Sequence, residues 1–163
     1  TAAISYADLL STGTIPITVV NPAATSNANS LTMGPPSIIL FTEPNSQRAI
    51  ALDAVTFLRD PFQFSAANNL SSDGRTRVMI FSPNLQLTPG ELISSVAARA
   101  EDVQHHIYSL PVEFVGGIPQ NSVTQIVFRI PDELKTADSF WVSVSYGGTA
   151  SNQALIMLKP AGN

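Results

Sequence analysis

The sequence predicts an all-β protein, an antiparallel β-sandwich, and three features predict it. Polar and apolar residues alternate with period 2, the spacing that puts every second side chain of a strand on one face. The alternating segments are short and recur about every 8–12 residues, as in sandwiches and barrels. They are parted by turn-formers, among them twelve prolines, and no long stretch keeps a helical period.

In chain order, Ile15–Val20 is the first strand, with Ile15, Ile17 and Val19 on one face. Ser37–Phe41, Ile50–Phe57, Arg77–Phe81, Ser95–Ala100 and His106–Leu110 follow as strand candidates. Thr124–Ile130 turns Ile126, Phe128 and Ile130 inward and Gln125 and Arg129 outward. Phe140–Tyr146 places Phe140, Val142, Val144 and Tyr146 on one face and Trp141, Ser143 and Ser145 on the other. Ala154–Leu158 is the last strand. Asn21-Pro22, Ser72-Asp73-Gly74, Pro89-Gly90, Gly116-Gly117 and Gly147-Gly148 are expected turns between these strands. Helix is confined to single turns at Tyr6–Leu10 and Pro131–Leu134.

The chain is partly repetitive. Sliding Leu9–Met33 forward by 125 residues lays it on Leu134–Leu158 without a gap, and Leu9, Val19, Ser26 and Asn27 meet identical residues. The inward sets Ile15, Ile17, Val19 and Phe140, Val142, Val144 fall in the same phase. Self-similarity of this kind marks a modular architecture. The later copy has about 100 residues before it to complete its sandwich. The earlier copy has none, so the chain is expected to begin inside a domain.

Composition narrows the function. At 163 residues and 44% hydrophobic, the chain has room and material for one domain plus part of another. Charged residues are 12%, about half the usual share, so Ser, Thr, Asn and Gln must make up the polar surface. Such a surface suits an extracellular protein or one that packs against its own copies. A net charge of −4 with scattered basic residues excludes a phosphate-gripping nucleic-acid partner. No apolar run of about 18 residues is present, so no membrane insertion is expected. Thr1-Ala2-Ala3-Ile4 lacks a basic segment before an apolar one, so a secretion signal is expected to have been removed. Cysteine is absent, which removes disulfides and thiol chemistry.

Ile4-Ser5-Tyr6-Ala7-Asp8-Leu9, Gly13-Thr14-Ile15-Pro16-Ile17-Thr18-Val19-Val20-Asn21-Pro22, Ser26-Asn27 and Leu31-Thr32 resemble the closing half of TIG/IPT-type immunoglobulin-like modules. That resemblance covers residues 1–34. Residues 35–163 resemble an immunoglobulin-like module found near the ends of large secreted bacterial multi-module proteins. Arg48–Asp53, Thr56–Phe62, Arg75–Phe81, Pro89–Glu91, Ala98–Asp102, Pro131–Leu134 and Ser151–Leu155 carry it. The resemblance implies an immunoglobulin-like sandwich, one complete module after a partial one. It also implies a bacterial cell-surface origin, and it brings no catalytic residues.

Candidate chemistry is sparse. His105 and His106 are adjacent, so on a strand they face opposite ways and do not share a metal ion. Asp53, Asp60, Asp73, Glu101 and Asp102 form no Asp-x-Asp-x-Asp calcium loop and are expected to pair with Arg48, Arg59, Arg75 and Arg77. No Gly-x-Ser-x-Gly elbow accompanies a histidine in suitable context. The expectation is no enzyme, no cofactor and no metal. Trp141 either anchors a partner or covers a neighbouring strand. The candidate interaction surface is Trp141 and Tyr146, with Ile4, Leu9 and Leu10. The expected role is structural or adhesive: a surface-protein module, or a self-assembling subunit that forms filaments by strand complementation. Expected partners are copies of itself or other modules. The alternative is a carbohydrate-binding module that meets polysaccharide through Trp141.

Overall fold

A computed structural model describes residues 37–65, 71–83, 85–118 and 122–159, together with the strands Gly13–Ile17 and Asn29–Met33. The chain divides into two units, Thr1–Pro36 and Ser37–Asn163.

In the first unit, β1 (Gly13–Ile17) and β2 (Asn29–Met33) pair antiparallel, with Gly13 opposite Met33 and Ile17 opposite Asn29.

The second unit is an all-β sandwich. Its strands are β3 (Ala51–Asp53), β4 (Phe62–Gln63), β5 (Arg77–Ser82), β6 (Ala97–Glu101) and β7 (Ile107–Leu110). Then come β8 (Val112–Gly117), β9 (Thr124–Arg129), β10 (Ser139–Tyr146), β11 (Thr149–Ala150) and β12 (Ala154–Lys159). One sheet runs β4-β12-β10-β6-β7, with β11 folded back on β10, and the other runs β3-β5-β9-β8. Every strand pair is antiparallel except β4 with β12. Short 3₁₀ turns occupy Ile93–Ser95 and Asp132–Leu134.

The alternation explains the layers. Val78, Ile80, Ile126 and Phe128 from one sheet and Ala98, Ala100, Phe140, Val142, Val144, Ala154, Ile156 and Leu158 from the other are all buried in one apolar core. Burying each large aliphatic or aromatic side chain contributes about 1.5–3 kcal/mol. Phe128 and Phe140 meet across the core edge-on, with ring centroids 6.5 Å apart. Between β7 and β8 the chain leaves one sheet for the other through Pro111. A proline there sacrifices no backbone donor, and its carbonyl accepts from the Arg129 amide at 3.0 Å.

Several elements differ from the sequence reading. Ser37–Phe41 forms no regular strand, although the Phe41 amide donates to the Phe81 carbonyl and the Leu40 amide to Asn152 Oδ1. The strand expected over Ile50–Phe57 stops at Asp53, whose Oδ1 takes the amides of Val55 and Thr56. Gly116-Gly117 is not a turn but the end of β8, and the Phe114 ring lies over Gly116 so closely that a Cβ there would sit 2.5 Å from Cζ. The segment Ser95–Ala100 begins in a 3₁₀ turn and becomes strand at Ala97. The expected turn at Tyr6–Leu10 lies outside the described residues.

The sequence repeat reappears as strand register. In β1 and β2, Thr14 faces Thr32, Ile15 faces Leu31, Pro16 faces Ser30 and Ile17 faces Asn29. Moved forward by the same 125 residues, these become Ser139–Met157, Phe140–Ile156, Trp141–Leu155 and Val142–Ala154. Those are the pairs that β10 and β12 make.

Candidate interaction surface

The charged side chains that the sequence offers as ligands are held as braces. Arg48 Nε lies 3.0 and 3.1 Å from the two oxygens of Asp60, and its Nη2 donates to the Asp60 carbonyl at 3.0 Å. Asp60 Oδ2 also accepts the Met157 amide at 3.1 Å, so one buried carboxylate joins the 47–60 excursion to β12. Hydrogen bonding to Asp60 is the main cause that raises the Arg48 pKa.

On the outer face of the second sheet, Arg77 and Arg129 stand directly opposite each other, a pairing that repels unless bridged. A bulge in β8 between Val112 and Phe114 supplies the bridge by turning Glu113 and Phe114 outward together. Glu113 takes Arg77 Nε at 2.9 Å and Nη2 at 3.1 Å and lies 3.7 Å from Arg129 Nε. Asp73 bonds Arg77 and Arg129, and Asp132 bonds Arg75. The Arg77 hydrogen bond is the main cause that holds the Asp73 carboxyl well below the usual range.

His105 and His106 sit in a turn ahead of β7. His105 has a positive φ of 65°, and its Nδ1 lies 2.6 Å from Glu101 Oε1. His106 Nδ1 lies 3.1 Å from Asp102 Oδ2, which also accepts the Tyr108 hydroxyl at 2.8 Å. Each histidine therefore meets its own carboxylate, four residues back. Among the described residues no group of three or more His, Cys, Asp or Glu is placed to hold a metal ion. Nor is any helix among them long and apolar enough to cross a membrane.

Trp141 lies on the outer face of the first sheet, half-buried, with Leu155 beside it on β12 and Glu101 on β6. Glu101 is tied to Gln153 at 2.6 Å. Beyond Trp141 most side chains are small, and Ala97, Arg99, Ser143, Ser145, Tyr146 and Ala150 line a shallow depression of about 330 Å³. Tyr146 does not join Trp141. It packs against the core, and its hydroxyl donates to Glu91 at 2.5 Å, which raises the tyrosine pKa and lowers that of Glu91. Ile4, Leu9 and Leu10 lie outside the described residues.

The sequence reading missed an apolar row in which Met79 is buried and Phe114, at one end, is 45% exposed. Leu52, Met79, Val127 and Phe114 stand in register across all four strands of the second sheet, on its outer face. At the β3 end of this row the chain enters the turn 53–58, where Val55, Phe57 and Leu58 are 40%, 64% and 68% exposed. The turn is braced: the Phe57 amide donates to the Asp53 carbonyl at 2.9 Å and the Asp53 amide to the Leu58 carbonyl at 2.8 Å. Phe57 has a positive φ of 58°, a conformation that costs a bulky L-residue about 1–3 kcal/mol. An Asp followed by Val and Thr at the second and third positions is an Asx-type turn signal that would have ended the strand early.

Comparison of the chain with protein-family models, with curated proteins and with solved structures gave no match.

Proposed function

We propose that this chain is a non-catalytic structural module of an extracellular multi-module protein, immunoglobulin-like in fold, that associates with copies of itself. The observation that carries the reading is the shared register of β1–β2 and β10–β12, because one closing hairpin repeated in sequence and in pairing is what a series of like modules requires. The order in which the chain visits the sheets supports the immunoglobulin-like assignment: β5 in one, β6 and β7 in the other, β8 and β9 back in the first, β10 and β12 in the second. The use of acidic side chains as braces for arginines and turns supports a structural role.

Light scattering with negative-stain microscopy on one sample tests self-association. The expected result is a particle heavier than the 17.3 kDa chain. A monomer at every concentration would remove the self-assembling role and leave a spacer module. A second reading, polysaccharide binding, is favoured by the outward Trp141, which shares its sheet face with a shallow depression lined by Ser143 and Ser145. Quenching or enhancement of Trp141 fluorescence by oligosaccharides, lost in Trp141→Ala, would support it, and a flat titration would remove it.

A further inference from the structure

We propose that the free edge of β7 docks an extended segment of a partner protein, added as a further strand with a lysine or arginine opposite Tyr108. Such a partner binds whether or not copies of the chain associate with one another.

A sheet edge offers unpaired amides and carbonyls to any chain that lies beside it, and proteins commonly close such edges. Among the described residues, three of the four edges of this sandwich are closed. At the β3 edge the chain folds back, so that Arg59 bridges to Leu52 and the Asp53 amide donates to the Leu58 carbonyl. β4 is two residues long and follows Pro61, which has no amide to offer. β8 carries its bulge and the outward charge of Glu113. β7 has none of these defences: Ile107-Tyr108-Ser109-Leu110 contains no proline, no charge and no bulge. The register shows which of its groups are free. The Asp102 amide donates to the His106 carbonyl at 3.0 Å, and this pair continues the register of Ala100 with Tyr108. Tyr108 and Leu110 therefore bond β6, while the amides and carbonyls of Ile107 and Ser109 point away from it. An added antiparallel strand bonds both residues through amide and carbonyl alike.

The edge opens onto a cleft. Ile107, Tyr108 and Ser109 line a cavity of about 490 Å³ together with Arg129, Pro131 and Asp132. Tyr108 and Glu133 are shared with a second cavity of about 500 Å³, which Asp102, His106 and Asp138 also line. Opposed residues of paired strands share a face, so the partner residue opposite Tyr108 is delivered towards Glu133. Charge decides what that residue is. The charged side chains lining the two cavities are Asp102, Asp132, Glu133 and Asp138 against Arg75 and Arg129. Arg75 bonds Asp132, and Arg129 reaches Asp73 and Glu113. Lys135, in the same turn as Glu133, lines neither cavity. Elsewhere carboxylates brace arginines, amides or hydroxyls, but those of Glu133 and Asp138 have no partner among the described residues. The Tyr108 hydroxyl feels this excess: its bond to Asp102 raises its pKa most, and burial and the Asp102 and Glu133 charges add to the rise. A basic side chain gains from the excess. A second copy does not, because its β7 brings an equal set of carboxylates.

The test is fluorescence anisotropy of end-capped, fluorescein-labelled peptides titrated with the full chain. Thr-Ile-Lys-Ile-Thr is expected to bind, and its counterparts with Gln or Glu in place of lysine to bind roughly fivefold more weakly or worse. N-methylation of both isoleucines removes the donors that would meet Ile107 and Ser109, and is expected to abolish binding. Ser109→Pro removes a free amide without touching a bond inside the sheet, so it is expected to abolish binding and leave the unfolding midpoint in place. Glu133→Gln is expected to bring the lysine peptide down towards the glutamine one. No binding by the lysine peptide, or equal binding by Ser109→Pro or by the N-methylated peptide, overturns the strand site. Equal affinity for the lysine and glutamine peptides overturns the basic partner. If Ser109→Pro instead abolishes association between copies, the occupant is a second copy and a basic segment is the wrong one. A chain that stays monomeric yet binds the lysine peptide sinks self-association and leaves this site standing.

Discussion

Asp102 holds its turn with a single carboxylate. Oδ1 accepts the amides of Gln104 and His106, each at 2.9 Å, and Oδ2 accepts the Tyr108 hydroxyl and meets the His106 ring. Burial alone would push its pKa up. The hydrogen bonds from the His106 amide, Tyr108, the His106 ring and Gln104 outweigh burial and bring it down to about 2, against an ordinary 3.8. A depressed carboxyl pKa means that the folded state holds the proton less tightly than the unfolded chain. The stabilisation is therefore complete above about pH 3.8 and is lost as pH falls towards about 2. Urea midpoints measured across that window are expected to fall for the wild type and to fall less steeply for Asp102→Asn. Parallel curves would show that the turn does not carry this proton linkage. Ser82 presents the opposite case, a fully buried hydroxyl with no partner among the described residues. Leaving such a group unpaired costs about 1–3 kcal/mol. Ser82→Ala is thus expected to leave stability unchanged or raise it by about 1 kcal/mol, and a clear loss in denaturant melts would reveal a bond that the hydroxyl makes.

β8 shows how one extra residue sets the character of a sheet face. The bulge at Glu113 lets Val112 and Val115 face the core while Glu113 and Phe114 both face outward. Glu113→Ala leaves Arg77 and Arg129 opposed with Asp73 as their remaining bridge. The expected loss is about 1 kcal/mol at low salt, shrinking at high salt as the repulsion is screened. A loss that does not depend on salt would mean that Glu113 acts by packing. The bulge also explains what the sequence could and could not convey. β9 and β10 were legible because each has one face in the core and one in solvent, so Ile126, Phe128, Phe140, Val142 and Val144 announce themselves by alternation. β8 was not legible, because the bulge breaks the period and its glycines imitate a turn. β3 was overextended because Val55 and Phe57 continue its apolar pattern, although the Asp53 carboxylate has already ended the strand. The outward phase of Trp141 could be read from its own strand. The row from Leu52 to Phe114 could not, since it exists only once four strands are placed in register.

At the scale of the whole sandwich, the two sheets share one core, and Phe128 and Phe140 are its largest fully buried side chains, one from each sheet. Truncating either to alanine would remove about 3–5 kcal/mol, a large part of the 5–15 kcal/mol that holds a domain folded. Leucine is the better probe because it keeps most of the volume. Phe128→Leu and Phe140→Leu each lose the same edge-on ring contact, so the double variant is expected to lose less than the two singles together, by about 0.5–1.5 kcal/mol. Additive losses would mean that the rings merely fill space. The shared core has a kinetic counterpart. Neither sheet can open without exposing the other's inner face, so the β9 amides and the β10 amides are expected to exchange hydrogen with the same highest opening free energy. Both should drop together in Phe128→Leu, although the substitution lies in only one sheet. Slower exchange in β10 with β9 unprotected would show instead that the sheets open separately, and that the core binds them more weakly than their burial implies.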